Sequence, residues 1–216
     1  MIKVLYEDNH LIAVFKPAGV LSQEDKTGDI SIFDEVKKYL KEKYKKPGNV
    51  FLGLLHRLDR PVFGIILFAK TSKGASRLSE QFRNHKVEKI YHAIVIGRPE
   101  KEKGILTNTL IKDEKLKKSR ENSNGQETRL YYETIKSNEK YSLLKIKIET
   151  GKFHQIRAQL SLAGFPILGD VKYGAYNPLP DKSVALCATS LSFYPATSED
   201  MVTISIEIPE EWNQYI

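Results

Sequence analysis

The sequence predicts an α+β fold with a mixed, mostly antiparallel β-sheet flanked by helices. Three observations carry this. Apolar and polar residues alternate over several long stretches, which is the period of half-buried antiparallel strands. Only three segments, 31–44, 72–84 and 153–163, show helical spacing of apolar residues. Strands and helices do not follow a regular βαβ rhythm, which argues against a parallel sheet.

Taken in order, residues 1–15 read as two short strands around Glu7-Asp8-Asn9. Lys16-Pro17-Ala18-Gly19 then breaks the extended chain, because proline lacks a donor and glycine tolerates positive φ. Residues 31–44 form a helix with Ser31 and Asp34 as a capping box and Ile32, Val36 and Leu40 on one stripe. Pro47-Gly48-Asn49 is expected to end it. Residues 51–55 and 63–69 are apolar runs of strand length, and 72–84 is a helix with Ala75, Leu78 and Phe82 on one face. From Lys89 onward the period is two: Tyr91, Ala93 and Val95, then Leu144, Ile146 and Ile148, then Val202, Ile204, Ile206 and Ile208. Residues 153–163 read as a helix stopped by Gly164 and Pro166. Its core stripe is Ile156, Leu160 and Ala163, with His154, Arg157 and Ser161 on a separate polar stripe, so Arg157 is expected to project without being needed for packing. The polar stretch 112–126 reads as a surface loop or hairpin excursion rather than a domain boundary, and one domain over 1–216 is expected.

Composition excludes several classes. The chain of 216 residues has one cysteine, Cys187, so an intrachain disulfide and a Cys-rich zinc site are both excluded. Cys187 sits in an apolar strand and reads as inert core. The longest uncharged apolar stretch, 61–69, falls far short of the roughly 20 residues of a membrane helix. Glu7, Asp8 and Lys16 interrupt any signal-peptide core, so a cytoplasmic setting is expected. Lys and Arg number 34 against 27 acids, a net charge of +7 that suits either a nucleic-acid partner or simply a soluble surface. Two stretches concentrate it: 37–46 has six lysines and one acid, and 112–120 has five basic residues and two acids. Each reads either as a solvated face or as an RNA contact.

The sequence has no nucleophile elbow, P-loop, metalloprotease helix or dinucleotide fingerprint. What remains is His56-Arg57-Leu58-Asp59-Arg60, one carboxylate between two apolar runs with arginines at −2 and +1. Such an aspartate is either a structural ion pair or a group held in a cleft whose guanidiniums attract phosphate. Tyr91 lies on a strand, where core packing is the default role. A glycosidase would need two acids flanking the bond, and the motifs supply one.

Separated segments, in a fixed order, resemble the RluA-type pseudouridine synthase family. Residues 56–70, HRLDRPVFGIILFAK, resemble the family's HRLDxxTSGLLLFAK. Residues 150–174 resemble TGRTHQIRVHL…GHPIxGDxxYG, 89–97 resemble KxYxAxVxG, 14–22 resemble an early KPxG element, and 185–192 resemble LHAxxLxF. The resemblance implies a bent sheet with a catalytic cleft, the pseudouridine synthase fold. It implies RNA uridine isomerisation with no metal, nucleotide or flavin cofactor. Asp59 then matches the catalytic aspartate, Tyr91 the tyrosine that stacks on the target uracil, and Arg157 the basic residue paired with that aspartate. Arg57 matches the arginine that helps displace the flipped base, and Leu186 an apolar residue near the pocket. Arg60, His154 and Gln155 lie in the same motifs as substrate-binding candidates. The departures are Val62-Phe63 for Thr-Ser, Lys152-Phe153 for Arg-Thr, Phe165 for His and Cys187 for His; none falls on Asp59, Tyr91 or Arg157. The expected partner is a tRNA or rRNA stem-loop, met by a monomer without a separate N-terminal RNA-binding domain and without a membrane. The alternative from another class is a catalytically silent RNA-binding protein on the same fold.

Overall fold

A computed structural model describes residues 2–216. In chain order the elements are β1 (Lys3–Glu7), β2 (Leu11–Lys16), α1 (Ile32–Lys43), β3 (Gly53–Leu54), β4 (Phe63–Ala69), α2 (Ser72–Arg83) and β5 (Glu88–Ile96). There follow β6 (Lys103–Asp113), β7 (Lys118–Glu121), β8 (Gln126–Ser137), β9 (Tyr141–Ile148), α3 (Gln155–Leu162), β10 (Leu186–Phe193) and β11 (Val202–Ser205). The predicted α+β class holds, with a mostly antiparallel sheet whose ladders β1–β2–β4, β10–β11 and β5–β9–β8–β6–β7 all run antiparallel. Among the described residues no helix is long and apolar enough to cross a membrane.

The chain divides into two compact units. One comprises the residues through Val87 together with Ser190–Ile206, the other Glu88–Thr189 and Glu207–Ile216. In the first unit β2 pairs with β1 and β4, and Ser190–Phe193 of β10 pairs with β11. All seven residues of β4 are buried, so it is covered on both faces and lies between neighbours. Leu11, Ala13, Ile65, Leu67 and Ala69 pack with Leu78 of α2 and with Leu191, Phe193 and Ile204. Helix α2 approaches the sheet closely at Gly74, where a Cβ would lie 2.6 Å from the His10 carbonyl oxygen. A larger residue there would push α2 off the sheet.

Helix α1 starts as its sequence predicts. The Ser31 hydroxyl accepts from the Asp34 N–H, and the Asp34 carboxylate accepts from the Ser31 N–H. Ser31→Ala is expected to cost about 1–2 kcal/mol, read as a fall of roughly 2–8 °C in thermal melting. The helix ends at Lys43, before the Pro47-Gly48-Asn49 turn, with Lys45 in the left-handed region. Glu7 ties this end of the helix down: its carboxylate takes Lys43 and Lys70, both at 2.7 Å, and the Tyr44 hydroxyl at 2.6 Å. Burial alone would raise the Glu7 pKa, but these donors outweigh it and hold it at about 2. Part of the lysine-rich stretch is therefore neutralised from within.

Two predicted strands are shorter than their apolar runs. Residues 51–55 contribute only Gly53–Leu54, and Phe51 is half exposed. The alternation through Ile208 leaves the ladder after Ser205, because Glu207–Ile216 packs with the second unit.

In the second unit the order runs β5-β9-β8-β6-β7. Leu130, Leu144, Ile146 and Ile148 are buried, as the period of two requires. The polar stretch 112–126 is the β6–β7 hairpin and the turn into β8. Cys187 is buried in β10, and burial, with Glu211 adding to it, pushes its thiol up to about 12. Helix α3 departs most from expectation. It begins at Gln155 rather than residue 153, because Phe153 and His154 form a turn in which their rings stack at 3.8 Å and His154 adopts φ +50°. Ala163 lies outside the core stripe and is exposed, whereas Gln155, Arg157 and Gln159 are buried.

Candidate active site

Asp59 lies in the first unit, in the loop between β3 and β4. The Lys16–Ser22 segment clamps this loop. The Leu58 N–H donates to the Ser22 hydroxyl at 3.0 Å, and that hydroxyl donates back to the Leu58 carbonyl at 2.6 Å. The Gly19 N–H donates to the Arg60 carbonyl at 2.8 Å, and Arg60 Nε returns a bond to the Gly19 carbonyl at 2.9 Å. Gly19 holds φ +81°, which glycine adopts without strain. The Asp59 carbonyl accepts from Val62 at 3.0 Å, closing a turn. Leu58 is buried between these bonds, Asp59 is half-buried, and Arg57 and Arg60 are exposed. His56 points the other way: its Nε2 accepts from the Leu67 N–H at 3.0 Å and its ring stacks on Phe82. Arg60 also pairs with Asp29 at 2.7 Å.

Sequence reading gave no role to Lys16, although it is the first residue of the KPxG element. It is fully buried, and its Nζ donates to the carbonyls of Pro17, Val20 and Arg60 at 2.9, 2.7 and 3.3 Å. Burial pulls its pKa down to about 7, against the attraction of the Asp59 carboxylate and with the repulsion of Arg60. A lysine closing an apolar strand was the available signal.

The remaining candidates lie in the second unit. Tyr91 is buried on β5, opposite Ile146 of β9. Leu186 is buried at the start of β10. Arg157 does not project as expected. It is 4% exposed, and it grips Asp170 in a fork, Nε to Oδ2 at 2.7 Å and Nη2 to Oδ1 at 2.8 Å. The reason is that α3 packs against β6, β7 and the Val171–Tyr173 turn, so its polar stripe also meets protein. The guanidinium lies 5.0 Å from the Tyr173 ring centroid.

His154 and Gln155 are built into this frame. His154 Nδ1 lies 2.9 Å from the Tyr173 hydroxyl, which accepts the Ser119 N–H. Burial first, and then the nearby Arg157 and Lys172, press the His154 pKa down to about 3, so the imidazole is neutral. Gln155 accepts from the Thr150 hydroxyl and the Lys152 N–H and donates to the Arg129 carbonyl. It thereby clips the loop that leads into α3. Arg57, Asp59 and Arg60 thus belong to one unit, and Tyr91, His154, Gln155, Arg157 and Leu186 to the other. Among the described residues no group of three His, Cys, Asp or Glu side chains could hold a metal ion.

Set beside known proteins, the chain matches the family pattern described as RNA pseudouridylate synthase over residues 10–162. It is 36% identical over 185 residues to the ribosomal large subunit pseudouridine synthase C of Rickettsia typhi; the match covers 82% of this chain and 58% of that protein. It is 33% identical over 232 residues to the tRNA pseudouridine synthase C of Haemophilus ducreyi, covering 97% and 92%. Its fold is similar to that of human RNA pseudouridylate synthase domain containing 4, with a TM-score of 0.81 at 23% identity, covering 98% of this chain and 90% of that one.

Proposed function

Because the chain belongs to the RNA pseudouridylate synthase family, we propose that it isomerises uridine to pseudouridine in a tRNA or rRNA stem-loop, with Asp59, Tyr91 and Arg157 in the roles the resemblance assigns. The observation that carries this is the family match over residues 10–162, which contains all three residues intact. The similar proteins bear names for both large-subunit rRNA and tRNA, and the net charge of +7 suits either. In this reading residues 1–216 act as one catalytic domain, a cytoplasmic monomer.

The reaction breaks the bond from ribose carbon 1′ to uracil N1, turns the base and rejoins it through carbon 5. The proton on carbon 5 leaves and one returns to N1. Atoms and electrons balance, so the chemistry calls for no redox partner. It does require a carboxylate at the ribose, as nucleophile or as base, and that is Asp59. The base must leave its stack, at a cost of a few kcal/mol. Stacking on Tyr91 offsets roughly 1–3 kcal/mol of this. Arg157, anchored by Asp170, supplies a fixed cation whose direction does not wander with solvent.

Incubation with C5-tritiated tRNA and rRNA tests the reading: tritium is expected to appear in water. RNA that binds at enzyme excess and releases none would mark a silent RNA-binding protein. Tyr91→Phe keeps the stacking face and is expected to bind RNA as wild type does. Turnover is expected to fall by about 10²–10⁴-fold if the hydroxyl takes the carbon-5 proton. Wild-type turnover by Tyr91→Phe would reduce Tyr91 to a stacking platform.

A further inference from the structure

Three cationic side chains are buried among the described residues: Lys16, Lys89 and Arg157. Two are fully engaged. Lys16 gives its Nζ to three carbonyls, and Arg157 forks onto Asp170. Lys89 is different. The residue is 8% exposed, but its Nζ is not among the buried polar atoms that lack a partner, so the stem is what is buried and the ammonium tip reaches solvent. The neighbouring acid, Glu88, is paired with Lys147 at 2.9 Å on the opposite face of the strand. Burial lowers the Lys89 pKa, and no acid counters it. The stem lies along the sheet while the ammonium stays at the surface, available to an incoming anion.

Its placement suggests what it waits for. Side chains alternate along β5, and the burial pattern puts Lys89 on the same face as Tyr91, Ala93 and Val95. Two residues along a strand span about 6.6 Å, within the reach of a single nucleotide. The Nζ end lies beside the Thr150-Gly151-Lys152 loop, where a Cβ on the exposed Gly151 would stand 3.7 Å away. No side chain at that position walls the ammonium off.

We propose that Lys89 is a substrate-binding residue that takes a backbone phosphate of the nucleotide whose base stacks on Tyr91. This rests on the RNA-modifying reading above. RNA brings one anion per nucleotide, and a flipped nucleotide carries its own phosphate toward the strand that holds its base. The ammonium would exchange hydration for a charge-assisted hydrogen bond on substrate binding.

The test compares wild type, Lys89→Met, Lys89→Arg and Asp59→Asn on unfractionated C5-tritiated tRNA and on C5-tritiated rRNA. Lys89→Met is expected to melt close to the wild-type temperature, since it keeps the buried stem. Its half-saturating RNA concentration is expected to rise about 10- to 100-fold. Its plot of log affinity against log salt is expected to be shallower by about 0.7–0.9, one phosphate. Lys89→Arg is expected to keep the slope, and Asp59→Asn to keep it while losing product. A lower melting temperature with unchanged affinity and slope would make Lys89 structural and overturn the proposal. Lost affinity with an unchanged slope would place it on an uncharged group of the base and overturn the phosphate assignment. Wild-type turnover and slope in Lys89→Met would sink the Lys89 assignment alone. If wild type itself releases no tritium from either RNA, the functional reading fails, and the Lys89 assignment with it.

Discussion

Asp59→Asn is expected to fold, to bind RNA about as tightly as wild type, and to form no pseudouridine in a single turnover. The substitution is nearly isosteric and leaves the Val62 N–H to Asp59 carbonyl bond in place, so the turn persists. The Leu58 and Arg60 clamps do not involve the carboxylate either. What changes is charge. Lys16 loses the Asp59 attraction that holds its pKa up, so the pKa falls from about 7 and the lysine sheds its proton more readily. That softens the local loss of stability. Removing a base costs about 10²–10⁴-fold in rate, whereas removing a covalent nucleophile abolishes its path. Residual turnover in that range would therefore assign Asp59 as base, and none would assign it as nucleophile. The measurement is melting, RNA binding and single-turnover product on one preparation. Wild-type turnover by a well-folded Asp59→Asn protein, free of deamidation back to aspartate, would end the catalytic assignment.

Asp170→Asn is expected to be the most destabilising of the single changes considered. The Arg157–Asp170 side chains are 5% and 1% exposed. Breaking a buried pair by neutralising one partner costs about 3–5 kcal/mol, because the other charge stays buried. For a chain of this size that is roughly 6–20 °C in melting temperature. Turnover measured well below the melting point is expected to fall too. Arg157 would lose the fork that sets its direction, and a 1 Å misplacement costs about 10²-fold. A melting temperature within about 2 °C of wild type would mean that the pair behaves like an exposed one, worth at most about 1 kcal/mol.

Asp170 and Lys89 lie inside the quoted motifs, yet the sequence assigned neither a role, and the reason is physical. Periodicity tells which residues share a stripe, not how many stripes meet protein. Along β4 every residue is apolar, so both faces were legible, and its bounds fall where the apolar run ends. In α1 the capping box and the Ile32, Val36, Leu40 stripe describe a helix with one buried face, and the structure agrees. Helix α3 buries two stripes, and the polar one looks like a surface until the partners appear. Those partners are remote in sequence: Asp170 for Arg157, and Leu106, Asn108 and Thr128 for Gln159. Residues 51–55 show the converse, since apolarity alone did not make a strand where the ladder offered partners only to Gly53 and Leu54. Tyr91 was legible as a strand residue, but the burial of the lysine stem two positions before it was not, because a lysine in an alternating strand normally faces water.

The division of the chain also bears on how it is made. The first unit is begun by the residues through Val87 but closes its core only with Leu191, Phe193 and Ile204. The whole of Glu88–Thr189 is synthesised in between, a delay of roughly 5–20 s at ordinary rates of about 5–20 residues per second. During that interval the all-apolar β4 has no β10 to cover it. The second unit is likewise unfinished until Glu207–Ile216 arrives with Trp212. Neither unit can be cut out as one continuous fragment, and both must mature late, through pairings of high sequence separation that fold slowly. Damage to the short β11 would harm the unit that began to form first.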